Sequence, residues 1–330
     1  MQDGFAGEGL ADTWTPVALS REVGKRPFPV QVAGQRLVLF RNAEGKAAAL
    51  MDRCPHRGVA LSLGKVRDGC LECPFHGWRF AADGACAHVP LNPMPPEKLK
   101  NFNATSFPVR ERAGMVWLYT RPGSEAPEEP VVPEALEDRR MSHWHYVTVF
   151  RAHWSRVMEN MLDSPHLPFV HRNTIGRILR KQMKEDSTMD VEVHPSPTGW
   201  YTQISIDGVV SPGRLSWLRP NGMQLDIPIP GNTWRLHVWC VPHEERSTRL
   251  FLLSARSFMR YNPLGWLMDQ FNIYIASEDK AVVQSAPDRV PPPSQEKSVA
   301  TDRATLAFRR WYLQRVQSPQ QPEGSLPRAG

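Results

Sequence analysis

The chain has 330 residues, of which 41% are hydrophobic and 22% charged, a balance that permits one large or two smaller folded domains and excludes wholesale disorder. Its formal net charge of +6 raises the question of a nucleic-acid partner, but acidic residues interleave with the basic ones and no basic-aromatic motif accompanies them. We therefore predict a solvated basic face and no nucleic-acid partner, with docking of an acidic protein as the alternative.

The sequence contains no signal that would direct it to a membrane or out of the cell. No apolar run approaches the roughly eighteen residues of a membrane-spanning helix, and residues 1–5 lack the basic and apolar regions of a secretory signal. We therefore expect a cytoplasmic protein with no membrane partner. In that setting, an odd number of cysteines favours metal or thiol chemistry over a disulfide framework. The five cysteines are Cys54, Cys70, Cys73, Cys86 and Cys240.

The first third of the chain has the pattern of an antiparallel β domain. Residues 14–50 alternate short apolar runs with turn residues, which is typical of strands joined by tight hairpins. The same rhythm continues to residues 115–119, and the composition then becomes polar and proline-rich over residues 121–138, which indicates a linker. We place the first domain at residues 1–135, with its linker at about residues 121–138.

Two short motifs within this domain carry four potential metal ligands. Cys54 and His56 form a Cys-x-His pair, and sixteen residues later Cys73 and His76 form a Cys-x-x-His pair. A Rieske [2Fe–2S] cluster needs this set, because two cysteines hold one of its irons and two histidines hold the other. A glycine closely follows each pair, which lets the backbone turn and direct amide donors to the sulfurs. We predict that these four residues bind such a cluster.

A zinc site is the alternative for this donor set, because zinc also binds two cysteines and two histidines. Zinc fingers group the cysteines on one side and the histidines on the other, whereas the two kinds alternate in this chain. The alternation favours the iron–sulfur cluster. The other three cysteines have no matching partner spacing, and we predict that they are small buried residues.

The rest of the chain mixes helical and strand-like patterns, so we predict a second, α+β domain over residues 139–317. Residues 152–163 carry apolar positions at helical spacing, and residues 189–258 alternate as strands do. An Asn-Pro dipeptide introduces a further predicted helix over residues 264–285. Residues 318–330 are rich in glutamine, proline and glycine, and we expect a disordered tail there.

A second group of potential ligands lies at the end of the first of these helices. Asp163, His166 and His171 form an Asp-x-x-His-x₄-His pattern. Two histidines five residues apart do not share a face of a regular α-helix, because five residues turn through about 500°. Pro165 and Pro168 break that regularity, so His171 can swing towards a metal held by His166. Two ordinary histidines in a proline-rich corner are the alternative.

Together, the two motifs resemble those of the catalytic subunits of Rieske non-haem iron oxygenases. The cluster motif alone would also suit a Rieske ferredoxin or the respiratory Rieske protein, but a ferredoxin would end near residue 120 and this chain continues to residue 330. The resemblance implies an antiparallel β Rieske domain followed by a helix-grip-like catalytic domain, in which an antiparallel sheet and helices hold a mononuclear Fe(II).

The resemblance also implies a third protein ligand for that iron. The family completes a facial triad of two histidines and one carboxylate with an acidic residue on a downstream helix, and residues 276–284 are similar to that region. We assign Asp279 to join His166 and His171, with Glu278 as the competing carboxylate. Three protein ligands leave one face of the iron open to O₂ and substrate.

Two neighbouring residues acquire roles from the same resemblance. In the family, the aspartate that matches Asp163 connects a cluster histidine to an iron-ligand histidine across a subunit interface. We therefore expect electrons to pass from His76 of one subunit through Asp163 to His166 of its neighbour, with an N-cap or surface aspartate as the alternative. Asn160, about one helical turn earlier, is expected to line the iron site.

The resemblance further implies partners and a reaction. We expect a homotrimer whose cluster is reloaded from NAD(P)H by a reductase, with or without a ferredoxin. The context of Asp279 and the segment 307–312 resemble the monooxygenase branch, so the expected reaction is hydroxylation or oxidative demethylation of a small aromatic or natural-product molecule by O₂. Aromatic-ring cis-dihydroxylation is one alternative, and an electron-transfer protein with a vestigial second site is another, which the intact triad disfavours.

The helix that carries Asp279 and the strands of the second domain supply the predicted substrate pocket. Residues one and two turns before Asp279 lie on the same face of its helix, and apolar strand residues are added to them. The predicted set is Asn272, Ile275, Ala276, Met223, Leu225, Trp234 and Leu236. Simple core packing is the alternative for each of these residues.

Overall fold

A computed structural model of the chain describes residues 4–123, 125–260, 263–286 and 289–317. The chain divides into two compact units, Met1–Val132 and Pro133–Gly330. The division falls within residues 121–138, where the sequence predicts a linker. The predicted tail, residues 318–330, lies outside the described residues. Within the described ranges, none of the helices has the length and apolar character needed to cross a lipid bilayer.

The first unit consists of three small antiparallel sheets. Its elements are α1 (Gly4–Gly7), β1 (Trp14–Leu19), β2 (Phe28–Val32), β3 (Gln35–Arg41), β4 (Ala47–Met51), β5 (Lys65–Arg67), β6 (Cys70–Glu72), β7 (Arg79–Phe80), β8 (Cys86–His88), α2 (Pro96–Leu99), β9 (Ser106–Phe107), β10 (Val109–Arg112) and β11 (Met115–Tyr119). The strand orders are β1-β11-β10, β2-β3-β4-β9 and β5-β6-β7-β8. The first cysteine–histidine motif lies in the connection from β4 to β5, which joins two sheets, and the second lies between β6 and β7 of the β5-β6-β7-β8 sheet.

The second unit is built around one eight-stranded antiparallel sheet. Its elements are β12 (Ser142–Phe150), α3 (Trp154–Leu162), α4 (Leu167–Val170), α5 (Arg177–Gln182), β13 (Met189–Ser196), β14 (Gly199–Ile206), β15 (Val209–Val210), β16 (Arg214–Leu218), β17 (Gly222–Ile229), β18 (Asn232–Glu244), β19 (Ser247–Arg256), α6 (Leu264–Val283) and α7 (Arg303–Gln317). The strand order is β12-β19-β18-β17-β16-β14-β13, and β15 pairs with β14.

An aromatic cluster fixes α3 against α7 and the sheet. The ring of Trp154 in α3 lies 6.0 Å from that of Phe308 and 5.3 Å from that of Tyr312, both in α7, in edge-on geometry. Trp217 of β16 meets Trp311 at 4.9 Å. Such edge-to-face pairs contribute beyond the burial of their apolar area. The cluster therefore holds α3, which leads into the second ligand motif, in a fixed position on the sheet.

The predicted α+β fold is confirmed. The predicted helices at 152–163 and 264–285 correspond to α3 and α6, and the predicted strands at 189–258 correspond to β13–β19. The sequence pattern did not assign a helix to α7, although its buried residues recur at helical spacing.

A buried network of ion pairs also connects α3 to α7. The Glu159 carboxylate lies 2.5 Å from Arg309 Nη2 and 3.1 Å from Arg156 Nη1. Glu296 also pairs with both arginines, at 2.9 Å from Arg309 and 2.5 Å from Arg156. Burial raises the pKa of the Glu159 carboxyl, and the two guanidiniums oppose that shift without cancelling it. The charge on Glu159 therefore depends on the arginines that surround it.

We expect Arg309→Met to lower the free energy of unfolding by about 3 kcal/mol, because it leaves the buried Glu159 carboxylate without its closest partner. Arg310→Met is the matched control, since Arg310 is exposed on the same helix and its loss should cost about 0.5 kcal/mol or less. Urea unfolding followed by tryptophan fluorescence compares both variants with the parent. Equal losses in the two variants would contradict a stabilising role for the buried pair.

Candidate metal centres

The two cysteine–histidine loops of the first unit are built alike. In each loop, a glycine amide donates to the carbonyl of the cysteine four residues earlier, from Gly58 to Cys54 at 2.8 Å and from Gly77 to Cys73 at 3.0 Å. The two glycines have φ of +73° and +71°, a conformation that other residues seldom adopt. Each loop therefore turns back sharply behind its histidine, as the glycines after each motif predict.

The loops bring their four predicted ligands together. The rings of His56 and His76 lie 4.7 Å apart, and the Cys54 and Cys73 thiols, both almost fully buried, are in contact range of each other. Burial raises the pKa of the Cys54 thiol to about 11, the backbone amide of His56 opposes the shift, and the neighbouring Cys73 thiol adds to it. The two loops thus place imidazole next to imidazole and thiol next to thiol.

The His56 ring supplies an independent test of this donor set. It stacks on the ring of Trp78, with the ring centroids 4.5 Å apart and the ring planes at 4° to each other, and this stacking fixes its orientation. Its Nδ1 atom is buried and has no hydrogen-bond partner among the described residues. Buried polar atoms are almost always paired, so an unpaired nitrogen on a ring that packs against a second histidine indicates a metal ligand. The four residues fit a Rieske [2Fe–2S] cluster.

The other three cysteines lie in strands and form no disulfide. Cys70 begins β6 and is half-buried, whereas Cys86 belongs to the hydrophobic core of the first unit. Cys240 is fully buried in β18, and burial raises the pKa of its thiol. These positions agree with the expectation of small packing residues, except that Cys70 is only partly buried.

His166, His171 and Asp279 form the second centre, in the second unit. Ligand atoms of the three residues lie within 4.8 Å of one another. Asp279 Oδ1 is 3.1 Å from His171 Nε2 and 3.5 Å from His166 Nε2. The single turn of α4 separates the two histidines, which allows residues five apart to face the same point, and α6 supplies the aspartate.

Each histidine of this centre has a carboxylate on its other ring nitrogen. Asp163 Oδ2 lies 3.1 Å from His166 Nδ1 and also accepts the backbone amide of His166 at 2.8 Å. Glu278 Oε2 lies 2.9 Å from His171 Nδ1. A carboxylate at Nδ1 fixes the ring and leaves the Nε2 lone pair for a metal. The structure therefore gives neighbouring carboxylates different positions, with Asp279 at the Nε2 atoms and Glu278 behind His171.

The charges around His171 act on its imidazole in opposite directions. Burial lowers the pKa of His171, but the carboxylates of Asp279 and Glu278 outweigh burial, and the pKa is raised overall. Protons therefore compete with a metal ion for this ring, which must be neutral to bind one. Asn160 completes the surroundings, because its Nδ2 donates to Asp279 Oδ1 at 2.9 Å. Two imidazoles and one carboxylate with an open side are the donor set of a facial-triad iron site.

A largely apolar cavity opens onto the three-residue centre. Of the predicted pocket residues, it is lined by Asn272, Ile275, Ala276, Met223, Leu225 and Leu236. Trp234 is not in this lining: it is buried on the same face of β18 as Leu236, but two residues nearer the start of the strand, where its ring lies 6.3 Å from that of Phe258 and 6.5 Å from that of Phe271.

Two family profiles match the chain. The Rieske [2Fe-2S] domain matches residues 13–103, and the vanillate O-demethylase oxygenase C-terminal domain matches residues 150–317, which is more than half of the chain. The chain belongs to the Rieske oxygenase alpha subunits. Its cofactors are those of the family, a Rieske [2Fe–2S] cluster in the first unit and a mononuclear non-haem iron in the catalytic unit.

The relatives of this Rieske oxygenase include proteins named as an oxygenase and as a dioxygenase. Chlorophyllide a oxygenase of Chlamydomonas reinhardtii is 27% identical over 321 residues, 92% of this chain and 48% of the relative. Phenoxybenzoate dioxygenase subunit alpha of Ectopseudomonas oleovorans is 33% identical over 204 residues, 56% of this chain and 49% of the relative. The chain spans about half the length of the curated relatives it matches.

The same fold occurs in a solved structure, that of dicamba monooxygenase bound to 3,6-dichlorosalicylic acid. The two chains are 22% identical with a TM-score of 0.79, covering 94% of this Rieske oxygenase and 98% of the other chain. The likeness confirms the predicted order of a Rieske β domain and a catalytic domain with an antiparallel sheet and helices.

Sequence reasoning missed several residues of the site. Glu278 entered only as a rival for the place of Asp279, and its contact with His171 Nδ1 was not foreseen. Part of the cavity lining was also missed, namely Phe150, Met161, Leu167, Ile175, Leu215, Val238, Leu250 and Leu252. The strand residues among them had a signal, because Leu250 and Leu252 alternate in β19 and pair with Cys240 and Val238 of β18.

Proposed function

We propose that this chain is a terminal oxygenase that hydroxylates or oxidatively demethylates a small organic substrate. O₂, two protons and two electrons from NAD(P)H, relayed through a reductase with or without a ferredoxin, convert a substrate C–H to C–OH and release water. A hydroxylated O-methyl or N-methyl group then breaks down to formaldehyde and the demethylated product. The observation that carries the proposal is a largely apolar cavity that ends at two histidines and one carboxylate.

The ligand assignments form part of this proposal. Cys54, Cys73, His56 and His76 would hold the cluster, and His166, His171 and Asp279 would hold the iron. When bound, the iron supplies the activation of O₂ and the cluster supplies its electrons. The unpaired His56 Nδ1 and the convergence of two Nε2 atoms on Asp279 Oδ1 support the assignments.

Three neighbouring side chains would keep the triad in its binding geometry. Asp163 and Glu278 hold the rings of His166 and His171 through Nδ1, so that each Nε2 points to the same side. Asn160 donates to Asp279 and holds that carboxylate in one orientation. The apolar cavity walls exclude water from the substrate position, which protects a reactive oxidant from side reactions.

Aromatic-ring cis-dihydroxylation is the second candidate function. The relative that is named a phenoxybenzoate dioxygenase favours it, whereas the vanillate O-demethylase type of catalytic domain favours the first. The intact triad weighs against a third candidate, an electron-transfer protein with a vestigial second site. We also propose a homotrimer and a cytoplasmic location, which rest on the family resemblance and on the sequence; some relatives are chloroplastic.

Metal analysis followed by product analysis tests the function. Protein purified anaerobically should contain about three irons per chain together with acid-labile sulfide. Substrate screening with a surrogate reductase should reveal substrate-stimulated O₂ uptake and products that gain one oxygen atom or lose CH₂. A gain of two oxygen and two hydrogen atoms would favour the dihydroxylase. A colourless preparation with zinc and no sulfide would refute both functions.

A further inference from the structure

Asn272 in α6 is buried without a hydrogen-bond partner. Its side chain is 0% exposed, and neither its Nδ2 nor its Oδ1 has a partner among the described residues. Asn160, by contrast, donates to Asp279, and Asn221 donates to the carbonyl of Cys240 at 3.0 Å. A buried amide that lacks both partners destabilises a fold, and an apolar residue of similar volume would avoid that cost. The asparagine therefore needs an explanation outside the packing of the core.

The unpaired amide lines the cavity that ends at the triad. The walls of that cavity are otherwise apolar, with Ile275 and Ala276 beside Asn272 on the helix and strand residues such as Leu225 and Leu236 opposite. The other polar residues of the lining are Asn160, Asp163, His166, His171 and Asp279, which belong to the candidate iron centre. The interior of the cavity is therefore where a partner for the amide, a bound molecule or a water, would lie.

Helix geometry sets the distance between this amide and the triad. Asn272 precedes Asp279 by seven residues in α6, which is two turns or about 10 Å along the helix axis. A molecule that bonds to the amide at one end would extend a carbon towards the triad at the other. That span matches a bicyclic ring system or a monocyclic ring with an alkyl substituent.

The charge of the lining limits the class of molecule. No lysine or arginine is among the described residues that line the cavity. A buried carboxylate without a cation is strongly disfavoured, so an aromatic acid is a poor fit where its carboxylate would lie at the Asn272 end, away from the iron centre. A side-chain amide presents a donor and an acceptor side by side in one plane. The complementary group is another neutral amide-like edge, such as a lactam, an imide or a carboxamide.

We infer that Asn272 is the substrate-binding residue that selects neutral molecules with an amide-like edge and orients their alkyl or aryl end towards His166, His171 and Asp279. This inference rests on the proposed oxygenase function and narrows its substrate class. It assigns to a single side chain the polar recognition that the apolar walls lack.

Anaerobic binding to the metal-loaded enzyme tests the inference without requiring turnover. The probes are a bicyclic lactam (quinolinone), its anionic counterpart naphthoate and the apolar naphthalene, titrated by calorimetry. The wild-type protein should bind quinolinone more tightly than naphthoate. Asn272→Leu should weaken quinolinone binding at least about tenfold and leave naphthalene binding unchanged or tighter. Asn272→Gln should recover part of the affinity for quinolinone.

A second measurement separates recognition from structure. Without ligand, Asn272→Leu should unfold at the same temperature as the wild type or at a higher one, because it removes an unpaired buried amide. A lower unfolding temperature together with an equal loss of binding of all three probes would overturn the inference. Unchanged quinolinone binding would also overturn it and would point to a buried water as the partner of the amide. Iron and sulfide analysis of the same samples reports on the oxygenase function separately.

Discussion

Asp279→Ala is expected to remove the iron of the catalytic unit and to leave the cluster in place. Iron content should fall from about three to about two atoms per chain, with the visible cluster spectrum unchanged and substrate oxidation below detection. The reason is that Asp279 Oδ1 lies 3.1 Å and 3.5 Å from the Nε2 atoms of His171 and His166, where a shared metal would lie. Two imidazoles alone are a weak iron site.

Two substitutions on the same helix are matched controls for this result. Ser277 is exposed, so Ser277→Ala should keep full iron content and activity. Glu278→Gln keeps an oxygen that can accept from His171 Nδ1, so it should retain most of the iron. Iron analysis and visible absorption of all three purified variants decide the comparison. Loss of iron in Glu278→Gln but not in Asp279→Ala would reverse the two assignments.

The first donor set could be predicted because it is local in sequence. Cysteine and histidine lie two or three residues apart within each loop, and a glycine follows each pair, so spacing alone indicates that each loop tip presents both ligands. The structure places the His56 and His76 rings 4.7 Å apart and the Cys54 and Cys73 thiols in contact range of each other. What spacing could not indicate is the stacking of Trp78 on His56, because that depends on how two separate loops meet.

The second donor set was only partly accessible from sequence. The proline-rich segment predicts that His166 and His171 face one point, and the single turn of α4 has that effect. Asp279 came from family resemblance, since no local pattern connects residues more than a hundred positions apart. The contact between Glu278 and His171 spans 107 residues and required the tertiary structure.

The periodicity of the sequence identified which face of a strand or helix is buried, but not which residues on that face line the cavity. Trp234 and Leu236 share a face of β18, yet only Leu236 reaches the cavity, because alternation gives side-chain direction without giving position relative to α6. In α7, the buried residues Ala304, Phe308, Trp311 and Arg315 recur at helical spacing. That signal was present in the sequence, although the arginines between the apolar residues weakened it.

Asp163→Asn is expected to retain both metal centres and to lower turnover by about 100-fold. Asp163 Oδ2 accepts the backbone amide of His166 and lies 3.1 Å from its Nδ1, so the carboxylate fixes the ring and strengthens it as a metal ligand. An asparagine offers one acceptor and no charge, and this weakens both effects. If the Asp163 carboxylate also accepts a hydrogen bond from a cluster histidine of a neighbouring subunit, the substitution slows electron transfer between the two centres as well.

The electron-transfer contribution can be separated from metal binding by three measurements on one preparation. Iron content should stay near that of the parent, the cluster should be reduced at the normal rate by dithionite, and its reoxidation by O₂ in the presence of substrate should slow in parallel with turnover. Asp186→Asn is the control, because Asp186 is an exposed acidic residue of the same unit and its loss changes the net charge equally.

The pattern of rates then distinguishes the roles of Asp163. A variant that loses iron in proportion to its activity would indicate that the carboxylate only maintains the His166 ring. Normal cluster reoxidation with slow product formation would place its effect at the iron centre and contradict a connection between subunits. Slow reoxidation with full iron content requires a carboxylate on the path between the two centres, since neither ligand set has changed.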